Sequence, residues 1–348
     1  MTAELLPAPA TTPALAPVEF LELDLTNRCQ LTCGHCYAKS GPTEGHGSMA
    51  TADWERLLDS APMAGIRRVQ FIGGEPTLHP DFVRLLNRAL GNGLKVEVFS
   101  NFLHITPRLW ELFSQPGVGL ATSYYSDDPA EHDRVTGRAG SHARTRAAIV
   151  EALARKLPLR VGIIDLGDGQ RAEQARAELE ALGVAHIRVD RVRGVGRGAD
   201  RAQAEPNVGE LCGRCGDGRA SVSTSGEVRM CVLSRFLPSA GNVREQPLGE
   251  IFAGGKWQAL LAQVPRQRVI TACNPDNDGN DCSPAETIPP SAFRLAEAGG
   301  RPIQACNPDN DGNDCSPAET IPPLALLPVH VPRRGETVAA AGTAGADC

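Results

Sequence analysis

Six short runs of β-branched and other apolar residues alternate with amphipathic helical stretches between Val18 and about Asp190, and this alternation narrows the fold more than any other feature. The runs are VEFLELDL (18–25), RRVQFI (67–72), LKVEVFS (94–100), VGLATSYY (118–125), LRVGIID (159–165) and AHIRVD (185–190). Between them lie helical patterns such as DFVRLLNRAL, with Pro80 at its start and Gly91 at its stop, and RAEQARAELEALG, closed by Gly183. Six β–α units in succession predict an α/β fold with a parallel sheet, doubly wound or curled into part of a barrel. In both, ligands bind at the carboxyl ends of the strands.

At 348 residues the chain can bury one large core or two ordinary ones, and 41% apolar content is that of a globular protein. A formal charge of −6, with no Lys/Arg block interleaved with aromatics, argues against a nucleic-acid partner. Arginines are dispersed through helical stretches and read as solvated helix faces. The opening residues, MTAELLPAPATTPALAPVEF, lack Lys and Arg and are broken by proline, unlike a signal peptide. No stretch has the apolar length to span a membrane, so the expected location is cytoplasmic. In a reducing compartment, eleven cysteines are better explained by metal or redox chemistry than by disulfides.

The pattern divides the chain into four parts: a Pro/Ala-rich, disordered leader over 1–17, the β–α region over 18–199, a Gly- and Cys-containing segment over 200–265 read as a small second domain, and a Pro/Asn/Asp-rich tail over 266–348. The tail holds a duplication, ACNPDNDGNDCSPAETIPP at 272–290 and again at 305–323. Two copies of a turn-like sequence cannot bury a stacked core, which favours segment duplication over a solenoid. Asp276, Asp278 and Asp281 suggest calcium loops, but the spacing lacks the distal Glu of an EF-hand.

The stretch TNRCQLTCGHCYAKSG follows the first strand directly, placing Cys29, Cys33 and Cys36 on the first βα loop. Three thiolates in eight residues can wrap one face of a cubane cluster, leaving one iron open to a ligand. A structural zinc site would want four closed ligands, for which His35 is the nominal fourth. RVRGVGRG (191–198) follows the sixth strand, but its glycine spacing is GxGxG and no helix is expected to start with it, so a dinucleotide fingerprint is rejected.

These residues resemble the radical S-adenosylmethionine superfamily, over roughly residues 18–260. The resemblance implies a partial (β/α)6 barrel in which Cys29, Cys33 and Cys36 hold a 4Fe–4S cluster. S-adenosyl-L-methionine then chelates the open iron and is reductively cleaved to a 5′-deoxyadenosyl radical. It places Tyr37 near the adenine. In QFIGGEPTLHP, it gives Gly73 and Gly74 the close approach to the methionine amine, Glu75 a charge partner and Pro76 the turn. Ser100 and Asn101 at the end of the third strand, and Ser123 on the fourth, resemble further polar contacts to the cosubstrate; ordinary strand-end hydrogen bonding explains them equally. No individual catalytic side chain is assigned.

The segment GELCGRCGDGRASVSTSGEVRMCVLSRF is similar to the opening of the auxiliary-cluster domains called SPASM or twitch, through Cys215, Gly226 and Cys231. GNVREQPLGEIF (241–252) resembles the segment that follows. The resemblance implies at least one auxiliary 4Fe–4S cluster on Cys212, Cys215 and Cys231, with Cys273 the preferred further ligand; a zinc knuckle uses the same spacing. A full SPASM domain continues with a tight run of cysteines that this chain lacks, offering only Cys273-x8-Cys282 and its copy Cys306-x8-Cys315. Cys348 is assigned no role.

The implied activity is modification of a precursor peptide by a crosslink, thioether or epimer, as in maturases of ribosomally made natural products. The implied partners are that peptide, a flavodoxin- or ferredoxin-type electron donor, and either a separate leader-binding protein or a barrel surface for the leader. The alternatives are a radical oxidoreductase acting on a small molecule, a sulfatase-type protein maturase, and a non-catalytic zinc protein.

Overall fold

All six expected strands form, and in the expected order. The computed structural model describes residues 15–167 and 169–265. The β–α region runs β1 (Phe20–Thr26), α1 (Thr51–Ser60), β2 (Arg68–Gly73), α2 (Phe82–Gly91), β3 (Lys95–Phe99), α3 (Pro107–Phe113), β4 (Val118–Tyr124), α4 (Pro129–Thr136), α5 (Ser141–Ala154), β5 (Leu159–Asp165), α6 (Ala172–Ala181) and β6 (Ile187–Arg191). A short helix α7 (Arg197–Ala202) follows. Then come β7 (Arg219–Val222), β8 (Glu227–Arg229), β9 (Gly241–Asn242), α8 (Leu248–Ala253) and α9 (Gly255–Gln263).

The strands make one sheet in the order β6-β5-β4-β3-β2-β1-β7-β8-β9. Strands β1 to β6 pair in parallel with their neighbours, and β7 joins the free side of β1, also in parallel. The sheet then turns back through the antiparallel pairs β7–β8 and β8–β9. Residues read from sequence as a separate small domain thus continue the sheet of the β–α region.

Alternation along the strands gives the sheet two different faces. Leu21, Leu23 and Leu25 of β1 belong to the same buried core as Trp54 and Leu58 of α1 and Phe82, Leu85 and Leu86 of α2. The other face is polar. Glu22 stands in register with Gln70 and with Ser221, and Gln70 with Glu97. Gln70 donates a hydrogen bond to Glu97, which also takes both arms of the Arg160 guanidinium at 2.7 and 2.8 Å. Such a buried polar face needs its groups paired internally.

One local expectation holds and one is corrected. α2 ends at Gly91, and the left-handed turn follows at Gly93, φ 77°. A helix does begin inside RVRGVGRG, because α7 opens at Arg197 with Gly196 (φ 61°) before it; the glycine spacing alone still argues against a dinucleotide fingerprint. Gly183, by contrast, takes φ 91° just beyond α6, as a helix-stopping glycine does. Among the described residues no helix is long and apolar enough to cross a membrane. The repeat, with Cys273, Cys282, Cys306 and Cys315, and Cys348 lie outside the described residues.

Candidate functional site

The loop between β1 and α1 is pinched at its base. Cys29 N donates to Gly41 O at 3.0 Å and Gly41 N to Asn27 O at 3.3 Å, so the segment carrying Cys29, Cys33 and Cys36 closes on itself. The three thiols are unpaired; Cys29 is buried and the other two are half-buried. Leu31 N and Asn101 Nδ2 both donate to Cys29 Sγ, at 3.4 and 3.5 Å. The end of α4 supports the loop from one side, Thr136 O accepting from Thr32 N at 3.0 Å. Burial pushes the Cys29 thiol up to about 11 and the Cys33 thiol up to about 12, the second reinforced by Cys36 and Cys29. These thiols give up their protons when a positive ion takes the proton's place.

The GGEP segment sits against the base of that loop. Gly74 N donates to Thr26 O at 2.6 Å and Glu75 N to Arg28 O at 2.8 Å. A Cβ on Gly73 would lie 2.5 Å from Thr26 O, and one on Gly74 2.3 Å from Arg28 O. The glycine pair therefore allows β2 to press its backbone onto the residues leading into Cys29. Pro76 opens a short 3-10 turn. Glu75 is almost wholly enclosed: Asn101 N donates to one of its oxygens at 2.8 Å, and the Thr77 hydroxyl to the other at 2.7 Å. Burial raises its carboxyl above the ordinary range, opposed by these hydrogen bonds. Glu75 thus ties the end of β2 to the end of β3.

Asn101, besides reaching Cys29, donates to Gln30 Oε1 at 3.0 Å, while the Ser100 hydroxyl accepts from Phe102 N. Ser123 lies on the inward face of β4, its hydroxyl hydrogen-bonded to Tyr125. The Tyr37 ring carries the Arg235 guanidinium 5.1 Å above it, and Arg235 donates to Asp24 Oδ2 at 2.8 Å. His35 Nδ1 is buried without a partner, and burial pushes the ring down to about 4. A neutral, enclosed imidazole edge-on to Tyr125 at 5.0 Å behaves as a packing group.

The second thiol group gathers on the C-terminal strands. Cys215 Sγ and Cys231 Sγ approach to 3.1 Å, and Cys212 hydrogen-bonds Cys215, which holds the Cys212 thiol down and pushes Cys215 up. The turn after Cys231, Val232–Phe236, is anchored to the inward face of β1: Val232 N donates to Glu22 Oε2 at 3.2 Å and Arg235 reaches Asp24.

The donors fit iron–sulfur chemistry at the first loop: three soft thiols on one short backbone loop, with N–H groups already aimed at one sulfur. Among the described residues no group of three His, Cys, Asp or Glu side chains is placed to hold a single metal ion.

Sequence reasoning singled out RVRGVGRG, which resembles a Gly/Arg turn of the radical S-adenosylmethionine superfamily, but gave no role to Arg197, whose guanidinium donates to Cys33 O at 2.7 Å and Ser40 O at 2.8 Å, and whose N–H donates to Cys36 O. It also missed the Asp24–Arg235–Tyr37 contact. Both join segments more than 150 residues apart, and no spacing within either segment signals them.

A parallel sheet with a three-thiol loop at the carboxyl end of β1, and a second thiol group carried on strands added beside β1, defines a class of α/β iron–sulfur protein. Two family profiles match: the radical SAM superfamily over residues 23–182, and SPASM, an iron–sulfur cluster-binding domain, over 212–282. The radical SAM match is followed along the chain by the SPASM match, and the cofactors these matches imply are a 4Fe–4S cluster with S-adenosylmethionine and auxiliary iron–sulfur binding.

Curated relatives include PqqA peptide cyclases. That of Ruegeria pomeroyi is 31% identical over 174 residues, 48% of this chain and 46% of the relative. That of Rhodopseudomonas palustris is 30% identical over 146 residues, 41% and 38% respectively. The chain thus spans less than half the length of these relatives. In fold it is similar to Streptococcus suis SuiB bound to S-adenosylmethionine, with TM-score 0.57 and 16% identity, covering 70% of this chain and 67% of that one. It is also similar to anSMEcpe with bound AdoMet, with TM-score 0.56 and 14% identity, covering 71% and 80%.

Proposed function

We propose that the chain is a radical S-adenosylmethionine enzyme that modifies a peptide, with Cys29, Cys33 and Cys36 as the ligands of its catalytic 4Fe–4S cluster. The observation that carries this reading is the thiol loop itself, closed by its own backbone, at the carboxyl end of β1 and inside the radical SAM match. The similarity to PqqA peptide cyclases supports a peptide substrate over a small molecule or a sulfatase. When bound, the cluster and S-adenosylmethionine supply a 5′-deoxyadenosyl radical that removes a hydrogen atom from the substrate.

The chain's own residues bind, orient and enclose. Asn101 and Leu31 donate to Cys29 Sγ, and hydrogen bonds to a ligand sulfur bias the cluster it holds. Tyr37, Gly73, Gly74, Glu75, Pro76, Ser100, Asn101 and Ser123 remain our assignment for the cosubstrate's surroundings. Glu75 reaches it through the backbone it organises as well as through its charge. A polar cavity of about 380 Å³ opens beside the thiol loop, lined by Asp24, Lys39, Ser221, Ser223, Arg229 and Arg235 among others. It lies on the inward side of β1 and β7, and suits the amide and side-chain groups of a bound peptide.

We assign residues 18–199 to the radical domain and 200–265 to the auxiliary segment. There Cys212, Cys215 and Cys231 hold a second cluster, with Cys273 as a further ligand. A reduced flavodoxin or ferredoxin and a reducing, cytoplasmic compartment match this chemistry, and a leader-binding partner completes substrate recognition. In the test, Cys29→Ala, Cys33→Ala and Cys36→Ala each abolish 5′-deoxyadenosine formation under dithionite. Wild-type formation by the triple variant sinks the reading.

A further inference from the structure

Arg197 reaches both ends of the Cys33–Ser40 segment. Its fork holds Cys33 O at 2.7 Å and Ser40 O at 2.8 Å, and its own N–H holds Cys36 O at 3.0 Å. The residue before it, Gly196, lies so close that a Cβ there would stand 2.2 Å from Tyr37 O and 2.6 Å from Cys36 O. Three successive carbonyl anchors and one van der Waals stop therefore fix the loop from the β6 side. Two carbonyls held at once require a planar, forked donor, and a lysine ammonium cannot span them in the same way. The guanidinium also places a permanent positive charge beside the backbone of Cys33, one of the three thiol residues.

We propose that Arg197 is a positioning residue of the radical centre: it clamps the Cys33–Ser40 loop in the ligand-ready shape and, through its charge, eases reduction of the cluster held there. This rests on Cys29, Cys33 and Cys36 being the cluster ligands. The clamp acts before any cluster arrives, because the hydrogen bonds are made to backbone carbonyls and not to sulfur. The charge acts afterwards, since net charge and hydrogen bonding around a cluster set its potential.

Three variants of the full chain separate the effects: Arg197→Ala removes clamp and charge, Arg197→Lys keeps the charge, and Arg176→Ala on α6 removes a surface arginine paired with Glu180. In the cofactor-free chain, trypsin should cut after Lys39 several-fold faster in Arg197→Ala, on the order of threefold or more, and at the wild-type rate in Arg176→Ala. After anaerobic reconstitution, Arg197→Ala should retain at most about half the wild-type amount of the cluster whose electron paramagnetic resonance signal responds to S-adenosylmethionine. The remainder should need a more negative potential for half-reduction. Arg197→Lys should recover the potential while still losing cluster.

The proposal is overturned if Arg197→Ala matches the wild type in trypsin cleavage or in potential, or if the potential of Arg197→Lys stays as low as that of Arg197→Ala. A wild-type chain with no S-adenosylmethionine-responsive signal overturns the cluster reading instead. The cleavage rates of the cofactor-free chain then still report on the clamp.

Discussion

Glu22 and Asp24 put two carboxyl groups on the inward face of the first strand, and each is committed to the turn after Cys231. Burial pushes the Glu22 carboxyl up to about 7, opposed by Arg219 of β7 and Arg160 of β5 and reinforced by Asp24 beside it. An unfolded chain releases that proton near 4.5, so between pH 4.5 and 7 the folded state holds a proton that the unfolded state has lost. Stability from this group therefore falls as pH rises through that window and stays lower above it. Glu22→Gln keeps an acceptor for Val232 N and removes the penalty. Urea unfolding should show the variant equal to wild type near pH 4 and more stable at pH 8, by up to roughly 3 kcal/mol. Equal stability at both pH values would contradict the burial argument. At this scale the sequence was most legible where chemistry dictates residue type: three cysteines in eight residues fall on one closed loop, and a Gly-Gly pair marks a close backbone approach. Arg197 and Arg235 were not legible. An arginine in a dispersed pattern reads as a solvated helix face, and only the folded chain shows which of them turn inward to bind carbonyls or a buried carboxylate.

The six parallel strands were readable because both kinds of period, two and 3.6, are strong in this chain and punctuated by turn residues. The six-residue helix α7 was not, since it is too short to display a period and is held largely by tertiary contacts. The 3-10 turn Val232–Phe236 was likewise invisible, and it is the element on which the two thiol groups meet mechanically. Its Arg235 joins Asp24 of β1 and the face of Tyr37, one residue beyond Cys36. Arg235→Ala leaves the Asp24 carboxyl, 3% exposed, without its cation, at an expected cost on the order of 3 kcal/mol. The same variant should lower the iron retained by Cys212, Cys215 and Cys231 more than that of the first loop. A stability change under about 1 kcal/mol, the range of an exposed pair, would show that the ion pair is effectively solvated.

For the molecule as a whole, the sequence separated residues 200–265 from the β–α region by composition, and the fold reunites them through β7. A sequence can show that a segment changes character, but not that its first strand pairs with one laid down far earlier. The duplicated segments carry the remaining prediction. Because 272–290 and 305–323 are identical, deleting 291–323 leaves one full copy with Cys273. Iron per chain and turnover should then stay near wild type, and removing both copies should lower iron while the first-loop cluster survives. About four irons in the wild type, single-copy and tailless chains alike would leave Cys212, Cys215 and Cys231 without a cluster. The pairing of β1 with β7 also has a consequence during synthesis. Leu21 meets its neighbour Ala220 only after roughly two hundred further residues have left the ribosome, on the order of 10–40 s at ordinary translation rates. Throughout that interval the nascent chain displays an open strand edge that could template pairing with another nascent chain. A chaperone that shields β1 until residue 222 emerges, or growth at a temperature that slows such encounters, should therefore raise the yield of soluble chain.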